Sequence, residues 1–171
     1  MSKLSAHFDT GEFVCSCCGG SRSMSTILID RLEKMHSMMN ARAIIITSGY
    51  RCTKNKYGMP TDAHRKGIAA DIKVQKQDGT WYTCSEIAEC AQRIGFGGIG
   101  LMPPDACHVD TRDCEPYTNS HWYGCEYDYG NYKKSDNIIT FQTGKVFQSR
   151  SDNKNTIKLY LNNTLIYSKE I

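Results

Sequence analysis

Residues 47–71 read TSGYRCTKNKYGMPTDAHRKGIAAD and place His64 and Asp71 with six residues between them. A second histidine, His108, follows in the segment CHVD, residues 107–110. Two imidazoles and one carboxylate suit Zn²⁺, and three protein ligands leave a fourth position for water, as in hydrolytic rather than structural zinc sites. The pattern therefore predicts that these three side chains bind one zinc ion.

The sequence around the three candidate ligands indicates the elements that carry them. Residues 52–67 contain two glycines and one proline, too many breakers for a long helix, so His64 is expected on a loop or short turn. The segment IAADIKV, residues 68–74, alternates in polarity, which predicts a strand with Asp71 on the face opposite the core. The segment CHVD is expected to form another strand.

The remaining patterns predict an α+β domain with a small antiparallel or mixed sheet and flanking helices. Apolar residues at helical spacing indicate one helix after Ser23 and another across residues 83–95. The β-branched run AIIIT, residues 43–47, is typical of a buried strand, and the glycine-rich residues 95–102 indicate a further strand. From Ile138 onward, alternating segments separated by turn residues predict three or four strands in a β-rich C-terminal tail.

A hydrolytic zinc site also needs a general base, and two aspartates flank the second histidine. Asp110 shares a strand face with His108 by period-two alternation, whereas Asp105 follows a Pro-Pro turn that can direct it inward. Asp105 is alternatively a solvated turn residue, and Asp110 is alternatively a partner that orients a ligand or pairs with Arg112. Both stay candidates for the catalytic base.

Arg51 comes directly after the AIIIT strand and is the candidate anion-binding residue. A guanidinium can hold a substrate carboxylate or polarise a carbonyl with two parallel hydrogen bonds. The alternative is a salt bridge between Arg51 and Asp71. Ser48 and Tyr50 are expected to be hydrogen-bonding neighbours in substrate binding.

The composition and charge restrict the protein class. The net charge of +3 is too small and too scattered to favour a nucleic-acid partner. No stretch approaches the roughly 20 apolar residues of a membrane span, and residues 1–13 lack the apolar run of a signal peptide. We therefore expect synthesis in the cytoplasm without a signal peptide.

The chain has nine cysteines, and three of them, Cys15, Cys17 and Cys18, form a C-x-C-C cluster. Without a signal peptide, free thiols are the default expectation. The cluster could hold a metal together with Cys52, but C-x-C-C is not a standard zinc spacing, so buried thiols or one disulfide are favoured.

At these positions the sequence resembles the M15 peptidases, zinc enzymes that include D-Ala-D-Ala carboxypeptidases and L-alanyl-D-glutamate endopeptidases, and in particular their phage and cell-wall branch. The signature of that family is SxYR, then H-x6-D, then a late histidine. The chain matches it with SGYR, residues 48–51, and with His64, Asp71 and His108. The resemblance covers roughly residues 5–123 and implies a fold like that of D-Ala-D-Ala peptidases and hedgehog-like domains.

The resemblance implies zinc-dependent hydrolysis of peptide bonds in the peptidoglycan stem, by an endolysin or a wall-remodelling enzyme that acts on the wall after export or phage-type release. Many members place the catalytic acid three residues before the last histidine, which is Asp105 here, and their equivalent of Arg51 contacts the substrate. D,D-peptidases have glutamate there, so the aspartate is closer to the L-alanyl-D-glutamate endopeptidases. The alternatives are a D,D-carboxypeptidase or dipeptidase that releases D-alanine, and a non-catalytic zinc-containing module that binds the wall.

Two domains are expected. Residues 1–123 form the zinc peptidase domain, and residues 124–171 form a β-rich extension that the resemblance does not cover. So short a tail rarely folds alone. It is expected to pack on the first domain, to bind the wall, or to pair with another copy of the chain. The sequence leaves the oligomeric state open.

Overall fold

The computed structural model describes residues 2–56, 61–114, 122–125, 137–141, 145–150, 156–161 and 164–170, with side chains in the first two of these ranges. The helical elements are a 3₁₀ turn, Thr10–Phe13, and the helices α1, Thr26–Met38, α2, Ala63–Lys66, and α3, Cys84–Ile94. The first five strands are β1, Ala43–Ser48, β2, Ala69–Gln75, β3, Gly98–Met102, β4, Ala106–Asp110, and β5, Trp122–Cys125. The last four are β6, Asn137–Phe141, β7, Lys145–Arg150, β8, Thr156–Leu161, and β9, Thr164–Glu170.

The first five strands form one sheet in the order β1-β2-β4-β3-β5. The pairs β1–β2, β2–β4 and β3–β4 are antiparallel, and β5 joins parallel to β3. This mixed sheet with flanking helices confirms the predicted α+β class. Strand β4 lies at the centre of the sheet, where it is hydrogen-bonded to β2 on one side and to β3 on the other.

The hydrophobic core lies on one face of this sheet. Alternate residues of β2, Ala70, Ile72 and Val74, are buried in a cluster with Leu32 of α1 and Ile87 of α3. Both long helices are capped at their N-termini, since Ser25 accepts from Leu28 N and Thr83 and Glu86 form a capping box. Because the helices cover one face, the side chains of β2 and β4 on the opposite face are left for polar groups.

None of the described helices is both long and apolar enough to cross a membrane.

Strand β1 differs from its prediction, because it is an edge strand and not a buried one. Only Ile44 of its isoleucines is buried, and Ile45 is 43% exposed. The expectation of a buried strand was wrong because β-branched residues favour an extended, pleated backbone, and this preference does not require burial on both faces.

The four tail strands form a separate antiparallel sheet in the order β6-β7-β8-β9. Their positions confirm the strands predicted after Ile138. Strand β5 crosses the predicted domain boundary between residues 123 and 124, and the domain division itself stays a prediction.

The N-terminal arm, residues 2–13, is fixed to the domain by aromatic burial and by hydrogen bonds. Phe8 and Phe13 are fully buried, and the Phe13 carbonyl accepts from Tyr50 N at 2.8 Å. A Cβ atom at Gly49 would lie 2.4 Å from Phe13 Cα, so the arm approaches the strand too closely for any other residue there. The arm thus supports the loop that follows β1.

Glu33 of α1 anchors the same arm, and its ionisation makes the anchor sensitive to acid. Burial acts to raise the pKa of Glu33, but the nearby Ser5 side chain and the hydrogen bonds from His7 outweigh it and lower the pKa to about 2. The His7 backbone N–H donates to Glu33 Oε1 at 2.8 Å, and His7 Nδ1 lies 2.6 Å from Oε2. A depressed carboxyl pKa stabilises the folded state above the ordinary value of 4.5, and this stabilisation is lost as the pH falls towards 2.

Glu33→Gln is therefore expected to lower the free energy of unfolding at pH 7 by about 1 to 3 kcal/mol, because charge-assisted hydrogen bonds are lost. The difference from the unsubstituted protein shrinks between pH 4.5 and 2. Urea unfolding across that pH series measures both effects. As a control, Glu89→Gln removes a surface pair with Arg93 and should change the stability by no more than about 0.5 kcal/mol. If both substitutions lowered the free energy of unfolding equally, the proposed role of Glu33 in anchoring the arm would be wrong.

Candidate metal centre

Three elements bring the predicted ligands together. His64 lies on α2, Asp71 on β2 and His108 on β4. Asp71 Oδ1 lies 3.2 Å from His64 Nε2 and 2.9 Å from His108 Nδ1, and the two ring nitrogens are 3.1 Å apart. All three residues are buried. Three donor atoms thus converge on one point.

Local structure explains how each ligand reaches this point. Asp71 and His108 are direct partners in the antiparallel register of β2 and β4, so their side chains leave the same face of the sheet. His64 lies on a single helical turn, which agrees with the predicted short turn. Asp62 caps that turn by accepting from His64 N at 3.0 Å, and Gly67 ends it with φ of +75°.

The donor set and its geometry fit a zinc ion. Tetrahedral zinc with nitrogen and oxygen ligands places its donor atoms about 3.3 Å apart. The three separations of 2.9, 3.1 and 3.2 Å come within a few tenths of an ångström of that value. With three protein ligands, the arrangement is that of an open rather than a closed zinc site.

The electrostatics of the pocket also favour a cation. Burial acts to lower the pKa of His108, but the carboxylates of Asp110 and Asp71 outweigh it and raise the pKa to about 10. Burial likewise acts to raise the pKa of Asp71, but hydrogen bonds from His108 and His64 hold that pKa well below its usual range. A metal ion bound at this point would take the place of a proton on His108, so its binding would release that proton.

Each histidine uses its other ring nitrogen to bond a fixed acceptor. His64 Nδ1 lies 2.7 Å from the Gly49 carbonyl oxygen, and His108 Nε2 lies 3.1 Å from Asp110 Oδ2. Such contacts fix the tautomer and the ring orientation of a metal-binding histidine. The Asp110 carboxylate also accepts from Arg112 Nε at 2.9 Å, and a Cβ atom at Gly98 would lie 2.1 Å from Asp110 Oδ2. Asp110 therefore lies behind His108, on the side away from the convergent donor atoms.

Arg51 bonds the carboxylate oxygen of Asp71 that does not contact the two histidines. Its Nη2 donates to Asp71 Oδ2, its Nε donates to Ser48 Oγ at 3.1 Å, and its Nη1 lies 3.4 Å from Asp62 Oδ2. The structure thus shows the salt bridge between Arg51 and Asp71, which was the expected alternative to anion binding by Arg51. Tyr50 packs its ring against the hydrophobic core. The roles of Arg51, Ser48 and Tyr50 in substrate binding stay predictions.

A comparison with protein families identifies the chain. Residues 6–110 match the family model described as Peptidase M15, which is more than half of the 171 residues. The chain belongs to the peptidase M15 family. The searches of curated proteins and of solved structures returned no significant match.

Asp105 lies in the turn between β3 and β4. The resemblance to M15 peptidases marks this position as the catalytic acid. Its carboxylate oxygens lie 2.9 and 3.0 Å from Lys73 Nζ. Lys73 follows Asp71 by two residues on β2, so the contact brings Asp105 to the ligand face of the sheet. Its side chain is 22% exposed, whereas the Asp110 side chain is fully buried.

Sequence reasoning missed several residues that shape this M15 site. Lys73 could have been found, because period-two alternation places it on the same face as Asp71. Asp62 has the signal of a helix cap just before His64. The roles of Gly49 and Gly98 have no local signal, since each depends on a strand or arm that is distant in sequence.

His64→Ala and His108→Ala should each remove one equivalent of zinc per chain, because two remaining ligands hold zinc weakly. Metal content after dialysis against a weak chelator, measured by elemental mass spectrometry, tests this. His36→Ala is the matched control, since His36 stacks on His7 of the N-terminal arm. Retention of the full zinc content by both ligand variants would show that the ion binds elsewhere.

Proposed function

We propose that this M15 peptidase is a zinc enzyme that hydrolyses peptide bonds of the peptidoglycan stem and acts at the cell wall. The observation that carries the proposal is the convergence of His64, Asp71 and His108 on one point, because a set of three protein ligands leaves one position of tetrahedral zinc for water. Family membership supports peptide hydrolysis, and the sequence resemblance to the phage and cell-wall branch supports the substrate class.

The three ligands hold the metal, and other residues of the chain bind and transfer protons. When bound, zinc supplies Lewis-acid chemistry, which polarises a carbonyl and acidifies a water molecule. Asp105 accepts the proton of the attacking water and passes it to the leaving amine. Lys73 holds the Asp105 carboxylate in the orientation for this step through its two contacts.

We assign the base to Asp105 and a positioning role to Asp110 because their surroundings differ. A general base needs an oxygen within reach of the attacking water. Asp110 is fully buried, and its oxygens accept from His108 and Arg112, so they do not face the substrate side. Asp105 is partly exposed at the rim of the same face.

Arg51 has the further role of binding the substrate. A guanidinium has five N–H donors, and the three contacts to Asp71, Asp62 and Ser48 leave two that bond none of the described residues. These donors lie next to the ligand carboxylate, where they can bind a carbonyl or carboxylate oxygen of the stem peptide. Ser48 keeps the guanidinium plane in place through Nε.

Asp105→Asn should lower kcat on purified peptidoglycan by about 100-fold or more, with unchanged zinc content, because proton transfer is lost. Asp110→Asn should instead lower zinc affinity by about 10- to 100-fold and regain activity in excess zinc. Asp30→Asn, on the exposed side of α1, serves as the control. The assignment is wrong if Asp110→Asn stays inactive with zinc bound while Asp105→Asn keeps full turnover.

Removal of the metal tests the class of reaction. A strong chelator should abolish cleavage of purified peptidoglycan, and added zinc should restore it. Mass spectrometry of the soluble fragments identifies the new termini: free D-alanine indicates a carboxypeptidase, and internal termini indicate an endopeptidase. Full cleavage after complete zinc removal would refute the proposal, and zinc binding without any cleavage would favour a wall-binding module.

A further inference from the structure

A second group of metal-binding side chains lies outside the histidine site. The sulfur atoms of Cys15, Cys18 and Cys52 lie within 4.8 Å of one another. Cys15 and Cys18 belong to the turn that follows the N-terminal arm, and Cys52 belongs to the loop after β1. Cys17 lies next to Cys18 in the same turn, and the Cys52 side chain acts to raise the pKa of its thiol.

Backbone contacts hold both segments in place. Cys15 N donates to Gly20 O and Gly19 N donates to Cys15 O, each at 2.8 Å, which closes the turn and brings Cys15 towards Cys18. Gly19 has φ of +66°, a conformation that favours glycine. On the other side, Asn55 N donates to Cys52 O at 3.0 Å. The sulfur group therefore does not depend on flexible side chains alone.

Several N–H groups point at the sulfur atoms. Cys52 N lies 3.3 Å and Asn55 Nδ2 lies 3.8 Å from Cys15 Sγ, and Gly20 N lies 3.4 Å from Cys18 Sγ. Burial acts to raise the pKa of Cys15, but the hydrogen bonds that it accepts outweigh this and lower the pKa to about 6. Donors of this kind stabilise thiolate, which is the form of cysteine that binds metals.

We propose that Cys15, Cys18 and Cys52 bind a structural zinc ion, with Cys17 as the fourth ligand. Four thiolates around zinc make a closed site, with sulfur atoms about 3.8 Å apart at a Zn–S distance of about 2.3 Å. The sulfur atoms of Cys15, Cys18 and Cys52, which all lie within 4.8 Å of one another, are close to this spacing. Soft thiolate ligands favour zinc over calcium or magnesium.

A metal explains the arrangement better than a disulfide does. A disulfide joins two sulfurs and leaves the others without a common partner, whereas here three sulfurs are mutually close and Cys17 lies in the same turn. The eight cysteines whose side chains the structure describes form no disulfide bond with one another. A metal shared with Cys52 was the less favoured expectation because C-x-C-C is not a standard zinc spacing, but the structure brings Cys52 to this cluster.

The ion would link the N-terminal arm to the loop that carries the anion-binding residue. Cys52 directly follows Arg51, and Phe13, two residues before Cys15, bonds Tyr50 through its carbonyl. The zinc would therefore hold residues 48–52 against the arm. This inference concerns metal content and stands whether or not the chain cleaves peptidoglycan.

The test measures zinc per chain in protein purified under reducing conditions. The unsubstituted chain should hold two equivalents, and Cys52→Ser should lose one. Cys90→Ala, which removes a buried cysteine on α3, should lose none. Combining Cys52→Ser with His64→Ala should remove both equivalents, which distinguishes the two sites.

Cobalt substitution gives a second readout that requires no cysteine variant to fold. Co²⁺ added to the His64→Ala chain should produce sulfur-to-cobalt charge-transfer absorption in the near ultraviolet and the visible bands of tetrahedral cobalt. Absence of the charge-transfer band would overturn the proposal. So would alkylation of the unreduced, unfolded chain that leaves a pair among Cys15, Cys17, Cys18 and Cys52 unmodified, because that result shows a disulfide.

Discussion

The antiparallel pairing of Asp71 with His108 is the contact on which the rest of the site depends. Because side chains alternate along a strand, a slip of one residue between β2 and β4 would move every side chain to the other face. The observed register places Ile72 and Val109 in the core and the two ligands on the opposite face. One hydrogen-bonded ladder therefore sets both the packing of the core and the position of the metal centre.

The charges on that face are buried, and burial of an ionised group is costly unless it is paired. Each carboxylate has its own guanidinium, Arg51 for Asp71 and Arg112 for Asp110, and His108 lies between the two. Removing one member would leave its partner buried with one compensating charge fewer. The two guanidinium groups thus hold the carboxylates of the network in fixed positions.

The surroundings of the centre are built from segments that are distant in sequence. The Gly49 carbonyl orients His64, and Gly49 itself lies against Phe13 of the N-terminal arm. The cysteine group joins the same arm to Cys52, one residue after Arg51. The arm and the loop after β1 therefore pack together, and the position of the Arg51 guanidinium depends on residues that are distant in sequence.

The sequence by itself predicted most of the described helices and strands, and it identified the three candidate ligands that the structure brings together. Capping residues and apolar spacing defined α1 and α3, and alternation placed Asp71 opposite the core, because these signals act over a few residues. Only the tertiary structure decided that β1 is an edge strand, that Lys73 binds Asp105, that Asp110 lies behind His108, and that Cys52 joins the cysteine turn. Strand order and loop contacts join residues that lie far apart along the chain, and no local pattern encodes them.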